Sequence, residues 1–115
     1  MRRLPTIPQR VAKGAALLDA YQPGWELEIH LPDLDMGHPL YCVLGQLTGK
    51  YSTGRRLLEE SPPEGFDLPD HRVEDEPTWP EVYGFLPLTA SADRLLTKEW
   101  TRVIGQWHAN QREDK

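Results

Sequence analysis

"SADRLLTKEWTRVIGQWHA", residues 91–109, is the stretch that decides the fold of this 115-residue chain. Charged and polar side chains cover most of its faces and one face is apolar, as in a helix that buries one side. Thr89 or Ser91 can cap the first turn, where Asp93 suits the positive end of the helix dipole. We predict a helix over 91–109 that buries one row of side chains: Leu96, Trp100, Val103, Ile104 and Trp107.

An earlier helix is predicted in "LPTIPQRVAKGAALLDAYQPGW", residues 4–25. Thr6 can accept hydrogen bonds from free backbone N–H groups, and Pro8 suits a first helical turn. A Pro-Gly pair ends the pattern, so the helix should span 8–21, with Trp25 folded back on its buried stripe. That stripe consists of Val11, Ala15, Leu17 and Leu18.

The segment "ELEIHLPDLDM", residues 26–36, alternates Leu27, Ile29 and Leu31 with polar side chains. This alternation is the period of a half-buried strand. Pro32 has no N–H to donate, and it favours extended geometry in the residue before it. The sequence therefore predicts a short edge strand or an extended loop here.

The most regular apolar pattern, "HPLYCVLGQLTGKY", spans residues 38–51 and contains the single cysteine, Cys42. Pro39 suits a first helical turn and Gly49 offers an end, so we predict a short central helix between them. Gly45 in its middle indicates close approach of another backbone, because glycine lowers helix propensity by about 1 kcal/mol. Cys42 would stand beside the buried side chains of this helix: Leu40, Val43, Leu44 and Leu47.

A long acidic, proline-rich segment, residues 59–88, follows a further helical turn or two in "GRRLLEE", residues 54–60. Residues 59–81 hold nine acidic side chains against the single base Arg72, and six prolines stand in residues 61–88. No helix of normal length is expected among so many prolines, so we predict a long loop. Four aromatic side chains should pin it to apolar surface: Phe66, Trp79, Tyr83 and Phe85.

These elements predict one mainly α domain, residues 1–115, with three to four helices, a possible short edge strand and a long acidic Pro-rich loop. Tryptophans spread along the chain can anchor a small core. The predicted core is Leu17, Leu18, Trp25, Val43, Leu44, Leu47, Leu96, Trp100, Val103 and Trp107. Along the chain we expect a basic N-terminal arm over 1–7, a helical core half over 8–58, the acidic loop over 59–88, the C-terminal helix over 89–110 and a tail over 111–115.

Composition restricts where the protein acts. A lone cysteine cannot form an intramolecular disulfide, so the fold does not need an oxidising compartment. Prolines and charged side chains interrupt any apolar run in residues 1–20, so the sequence predicts neither a signal peptide nor a membrane helix there. We therefore expect a cytoplasmic protein without membrane contact. The net charge of −5 and the acidic middle disfavour broad contact with phosphate backbones.

Six short motifs follow one another along the chain: "RVAKGAALLD", "PGW", "LPDLDM", "YCVLGQLTGKYSTG", "YGF" and "LTKEWTRVI". Together they resemble a family of small uncharacterised proteins of actinobacteria and their phages, including mycobacteriophages. The likeness is strongest over residues 10–54. It implies an actinobacterial or actinophage origin and a cytoplasmic accessory role, and it carries over no active residues. The acidic segment departs from the family pattern, so this loop is expected to be peculiar to this chain.

His38 and Cys42 raise the question of a thiol nucleophile beside its base, because a neighbouring imidazolium lowers a thiol pKa. However, His38 precedes a proline, and the sequence marks no orienting third group, so a buried, unreactive thiol is the favoured interpretation. Asp33 and Asp35 could join them at a metal, but the paired ligand spacings of zinc and the ligand series of calcium are absent. We therefore expect no catalytic residue, metal or cofactor, and aspartates that cap turns.

The acidic segment is the predicted contact surface for a protein partner. Acidic side chains steer a molecule toward a basic surface, and aromatic side chains can then bury in its pockets. The alternative is a solvated connector whose aromatics seal the protein's own core. On the first interpretation the protein is a non-enzymatic accessory protein that binds a host or phage protein. The candidate contact residues are Phe66, Asp70, Glu74, Asp75, Glu76, Trp79 and Tyr83.

A small DNA-binding regulator is the alternative function. Lys50, Arg55 and Arg56 could contact phosphates, and residues 39–60 could hold a helix-turn-helix. Both helices would be very short and the next segment is acidic, which makes nucleic acid the less favoured partner. The alternative for these three bases is a solvated helix face.

Overall fold

Helices dominate the structure, a computed structural model that describes residues 5–68, 78–87 and 92–113. Within those residues it contains five α-helices, two 3-10 helices and no strand, so the predicted mainly α class is confirmed. Five helices exceed the predicted three to four, because one short helix, α4, forms within the segment that was predicted to be a loop. The α-helices are α1 (Ile7–Tyr21), α2 (Val43–Thr48), α3 (Tyr51–Glu60), α4 (Trp79–Val82) and α5 (Asp93–Glu113).

Local sequence sets the start of α1. The Thr6 hydroxyl accepts from the Gln9 N–H at 3.2 Å, and the Gln9 side chain accepts from the Thr6 N–H at 2.9 Å. This reciprocal pair satisfies two backbone donors that have no partner inside the helix. The predicted helix over 8–21 is therefore confirmed with its cap.

Two 3-10 helices, Trp25–Glu28 and Leu31–Asp33, take the place of the predicted edge strand. Gly24, with a φ of +88°, turns the chain sharply after α1, a conformation that residues with a side chain rarely adopt. The turn leaves Leu27 71% exposed, whereas Ile29 is buried. A strand would have put both side chains on one face, so the strand prediction is wrong for this part of the chain.

The central helix is shorter than predicted. α2 begins at Val43 rather than near Pro39, and residues 39–42 form a turn ahead of it. Leu40, which was predicted to be buried in the helix, lies in that turn and is 48% exposed. A Cβ on Gly45 would lie 2.3 Å from the Pro39 carbonyl oxygen. The predicted close backbone approach at Gly45 is thus confirmed, and it comes from the chain's own preceding turn.

α3 packs closely across α2 and is longer than the turn or two expected. A Cβ on Gly54 would lie 2.9 Å from the Leu44 Cβ, so the two helices meet at this glycine. Gln46 of α2 reaches back to the preceding loops, where it accepts from the His30 N–H at 2.7 Å and donates to the Tyr41 carbonyl at 3.1 Å. These bonds fasten the irregular segment before α2 to the helix pair.

The acidic segment contains one short helix, α4, that the sequence analysis did not predict. Thr78 caps it, because the Thr78 N–H donates to the Glu81 carboxylate at 2.8 Å. Arg10 of α1 is buried, and its Nη1 donates to the Glu81 carbonyl oxygen at 3.3 Å. Arg10 therefore joins α1 to α4 from inside the protein and does not add to the basic surface of the chain's start.

Trp100 of α5 lies at the centre of the core. Its ring stacks on Phe85 with 5.6 Å between centroids and meets Trp25 edge-on at 5.8 Å, and its Nε1 donates to the Gly84 carbonyl at 2.6 Å. A Cβ on Gly14 of α1 would lie 2.9 Å from two carbons of the same ring. Seven predicted core residues are buried, whereas three are only partly buried, namely Leu47, Val103 and Trp107.

α5 extends beyond its predicted end. It spans Asp93–Glu113 and so continues into the polar tail that was predicted over 111–115. The predicted caps Thr89 and Ser91 lie outside the described residues. No helix in the described part of the chain is long and apolar enough to cross a membrane.

Candidate functional site

Cys42 caps the start of α2, and only 3% of this residue is exposed. Its sulfur accepts from the Gly45 N–H at 3.3 Å, and the thiol donates toward the Pro39 carbonyl oxygen at 3.8 Å. Both hydrogen-bonding functions of the thiol are therefore used within the protein. The predicted burial of Cys42 is confirmed, although the residue stands before the helix and not beside its buried side chains.

Burial raises the pKa of the Cys42 thiol, and the N–H groups of Gly45 and Leu44 offset this only in part. A thiol at the start of a helix usually ionises more readily. Here α2 has only six residues, and desolvation of the thiolate is the larger effect. The thiol is therefore protonated at neutral pH.

The ring of His38 is engaged with its own turn. Its Nδ1 accepts from the Leu40 N–H at 3.1 Å, and the ring packs on Tyr41 with 4.6 Å between centroids. The hydrogen bond between the two candidate residues joins backbone groups, since the Cys42 N–H donates to the His38 carbonyl at 3.0 Å. The side chains of His38 and Cys42 therefore do not form an activated thiol–imidazole pair.

A cavity of about 260 Å³ adjoins the thiol. Its wall combines apolar Met36 and Phe85 with Cys42 and Tyr51, and Asp93 adds a carboxylate from the start of α5. Burial raises the pKa of Tyr51 to about 12, so its hydroxyl is neutral at physiological pH, as is the thiol. Two of the polar groups in the wall are therefore neutral at physiological pH.

The two aspartates of the metal hypothesis have local partners. Asp33 binds His30, with 2.9 Å between the carboxylate and the ring Nδ1, and both side chains are exposed. Asp35 accepts from the Gly37 N–H at 2.9 Å and so closes a turn. Across residues 5–68, 78–87 and 92–113 no three potential ligands of the His, Cys, Asp and Glu types gather closely enough to hold a metal ion.

Alkylation tests the state of this thiol. In the folded protein Cys42 is expected to react with iodoacetamide about 100-fold more slowly than in the urea-unfolded chain, because reaction must wait for local opening. Labelling of the folded chain should increase only above the ordinary thiol pKa, since burial raises the pKa and delays thiolate formation. Mass spectrometry of timed samples measures both rates, and fast labelling of the folded chain at pH 7 would contradict this account.

Trp79, a predicted partner contact, is buried in the protein's own core. Only 4% of it is exposed, and its Nε1 donates to the Glu59 carboxylate at 2.7 Å. Its ring meets Phe85 and Tyr83 edge-on, with 6.1 and 6.2 Å between centroids. The prediction for Trp79 is therefore corrected: it is a core residue of the acidic segment and not a partner contact.

Phe66 and Tyr83 are half-buried and pack on each other with 6.2 Å between ring centroids. Burial, followed by the Asp67 carboxylate, raises the pKa of Tyr83. Because Tyr83 also contacts Trp79, the aromatic residues on either side of residues 67–78 belong to one cluster. The remaining predicted contacts, Asp70, Glu74, Asp75 and Glu76, lie outside the described residues.

The candidate DNA contacts on α3 are divided between internal and exposed roles. The Arg55 Nε donates to the Glu59 carboxylate at 3.0 Å, and Glu59 also accepts from Trp79. Lys50 and Arg56 are exposed. Arg55 thus joins α3 to the base of the acidic segment, and only two of the three predicted phosphate contacts face solvent fully.

An apolar groove between the start of α1 and the outer side of α5 was not anticipated. We name it the α1–α5 groove; it has a volume of about 350 Å³ and is lined by Ile7, Pro8, Leu95, Lys98, Glu99 and Arg102. The only sequence signal was Leu95 beside bases spaced four residues apart on α5. The opposite wall comes from residues almost ninety positions away, which periodicity along one helix cannot indicate.

Together these features define a small, mainly helical protein in which a buried thiol caps α2. An aromatic cluster stands on either side of residues 67–78, and a separate apolar groove lies between α1 and α5. No protein-family model, curated protein or solved structure matches the chain. The function must therefore be argued from the molecule's own surfaces.

Proposed function

We propose that this chain is a non-enzymatic accessory protein that acts by binding another protein through its acidic segment, residues 59–88. The observation that supports this most directly is the aromatic cluster of Phe66, Trp79 and Tyr83, which stand on either side of residues 67–78. A loop whose ends are held in place loses less conformational freedom when it binds a partner. The carboxylates of the segment are then attached to a fixed part of the fold.

The charge of the segment indicates a basic partner surface. Four candidate contacts, Asp70, Glu74, Asp75 and Glu76, fall within seven residues of the sequence. Such a cluster raises the rate of encounter with a basic surface, and the half-exposed rings of Phe66 and Tyr83 add apolar contact beside it. The resemblance to small proteins of actinobacteria and their phages supports a cytoplasmic accessory role for this binding.

An enzymatic role has less support. The buried, protonated Cys42 lacks the activation that a thiol nucleophile needs. The DNA-binding alternative keeps Lys50 and Arg56 as exposed bases, but Arg55 is already paired with Glu59. Two exposed bases next to an acidic segment favour a protein partner over a phosphate backbone.

Charge neutralisation tests the proposal. A variant with Glu74→Gln and Glu76→Gln is expected to retain about a tenth or less of the bound partner in a nuclease-treated lysate of the native host, because two steering charges are lost. The control carries Glu28→Gln and Asp33→Asn, which remove two exposed acids elsewhere. Quantitative mass spectrometry of the captured proteins compares the wild type with both variants.

Equal capture by the wild type and both variants would contradict a role for the acidic segment. Loss of capture upon nuclease treatment, together with salt-sensitive duplex binding that depends on Lys50 and Arg56, would favour the DNA-binding regulator instead.

A further inference from the structure

We propose that the α1–α5 groove is a docking site for an acidic helical segment, with apolar side chains on one face, of another protein. The groove is distinct from the acidic segment, and its chemistry is opposite, so it would take a different ligand. It would allow the chain to bind two partners, one basic and one acidic.

The apolar part of the groove centres on Leu95, which is 58% exposed. A single exposed leucine is ordinary on a protein surface. Leu95 differs because Ile7 and Pro8 of α1 continue the same apolar surface across to a second helix. A volume of about 350 Å³ suits a few apolar side chains of a peptide and is small for most drug-sized ligands.

The rim of the groove is positively charged. Lys98 and Arg102 line it, and Arg94 stands one turn earlier on the same row of α5. The one acid in the wall, Glu99, is paired with Arg102 at 2.5 Å between Oε2 and Nη2, so these two charges cancel and Lys98 supplies the net positive charge of the wall. A local positive surface on a chain of net charge −5 favours an acidic ligand.

The shape of the site favours a helix. The groove is a concave surface between two helices, and a convex ligand can reach its floor, as when amphipathic helices insert one apolar face into a groove. Leucines on one face of the ligand would contact Leu95 and Ile7, while glutamates on its flank would meet Lys98. A flat anionic bilayer would contact the basic rim without reaching the apolar floor.

The experiment uses a fluorescein-labelled synthetic peptide that has leucines at positions i and i+4 and glutamates on its other faces. Fluorescence anisotropy measures its affinity for the full-length protein. Leu95→Asn and Lys98→Glu are each expected to weaken binding about tenfold or more, because each removes one of the two interactions that define the site. Leu27→Asn, which changes a leucine that is 71% exposed and lies outside the groove, should leave binding unchanged.

A peptide with lysines in place of the glutamates is the second control and should not bind. Circular dichroism checks that the variants, whose altered side chains are exposed, keep their helical content. The proposal is overturned if the acidic peptide binds equally well to both groove variants, or if the lysine peptide binds as tightly. It is also overturned if Leu95 is needed for binding anionic vesicles or for a self-association that Leu95→Asn abolishes.

Discussion

Replacement of Trp100 by alanine is expected to lower the free energy of unfolding by about 3–5 kcal/mol. The side chain is fully buried, and its removal would leave a cavity between Phe85 and Trp25. The Gly84 carbonyl oxygen would also lose the donor that now lies 2.6 Å away. Chemical denaturation followed by far-UV circular dichroism measures the change.

Trp107 on the same helix provides the matched control. It is only partly buried and its ring contact is with the neighbouring His108, so Trp107→Ala should cost about 1 kcal/mol. If Trp100→Ala does not fold, Trp100→Phe keeps the ring stack and should cost about 1–3 kcal/mol through the unpaired Gly84 carbonyl. Equal losses at the two tryptophans would contradict the central place of Trp100.

Gly14→Ala is expected to lower the free energy of unfolding by about 3 kcal/mol, a large effect for a single added methyl group. The new Cβ would lie 2.1 Å from the Tyr83 carbonyl oxygen and 2.9 Å from the Trp100 ring. Neither contact can be relieved by rotating a flexible side chain, so α1 must move away from the turn after α4. Urea denaturation of the variant gives the value.

Gly105→Ala is the control for Gly14→Ala. Gly105 lies in α5, and a Cβ there meets no atom within 4 Å. Alanine has the higher helix propensity, so this change should stabilise the protein by up to about 1 kcal/mol. A Gly14→Ala variant as stable as the wild type would show that α1 does not approach the turn after α4 as closely as the structure indicates.

The packing at Gly14 also bears on the proposed function. The turn that it contacts includes Tyr83, which belongs to the aromatic base of the acidic segment. Arg10 and Glu59 fasten the same region from α1 and α3, through the Glu81 carbonyl and the Trp79 indole. Two separate helices, α1 and α3, thus hold the base of a segment that is otherwise rich in proline and charge. Such support is expected of a loop that must present its carboxylates in a defined place.

The acidic segment and the α1–α5 groove differ in how far the sequence could indicate them. The clustered acids can be read directly from the sequence, and so can the proline content that excludes a long helix. Whether Trp79 faces a partner or the core depends on Glu59, which lies twenty residues earlier and accepts from the Trp79 indole. The groove requires α1 and α5 to lie side by side, and these helices are separated by most of the chain.

By itself, the sequence determined α1 and α5, because helical periodicity, the Thr6 cap and the buried row through Trp100 involve residues only a few positions apart. It also determined that Cys42 would be buried. Only the tertiary structure decided that Leu27 faces solvent in a 3-10 turn, that Cys42 caps α2 and that Trp79 belongs to the core. Trp79 depends on Glu59, which lies twenty residues earlier in the chain. Leu27 and Cys42 depend on nearby backbone groups, the Gly24 turn and the Gly45 N–H, whose conformations override the local alternation and propensity on which sequence patterns rest.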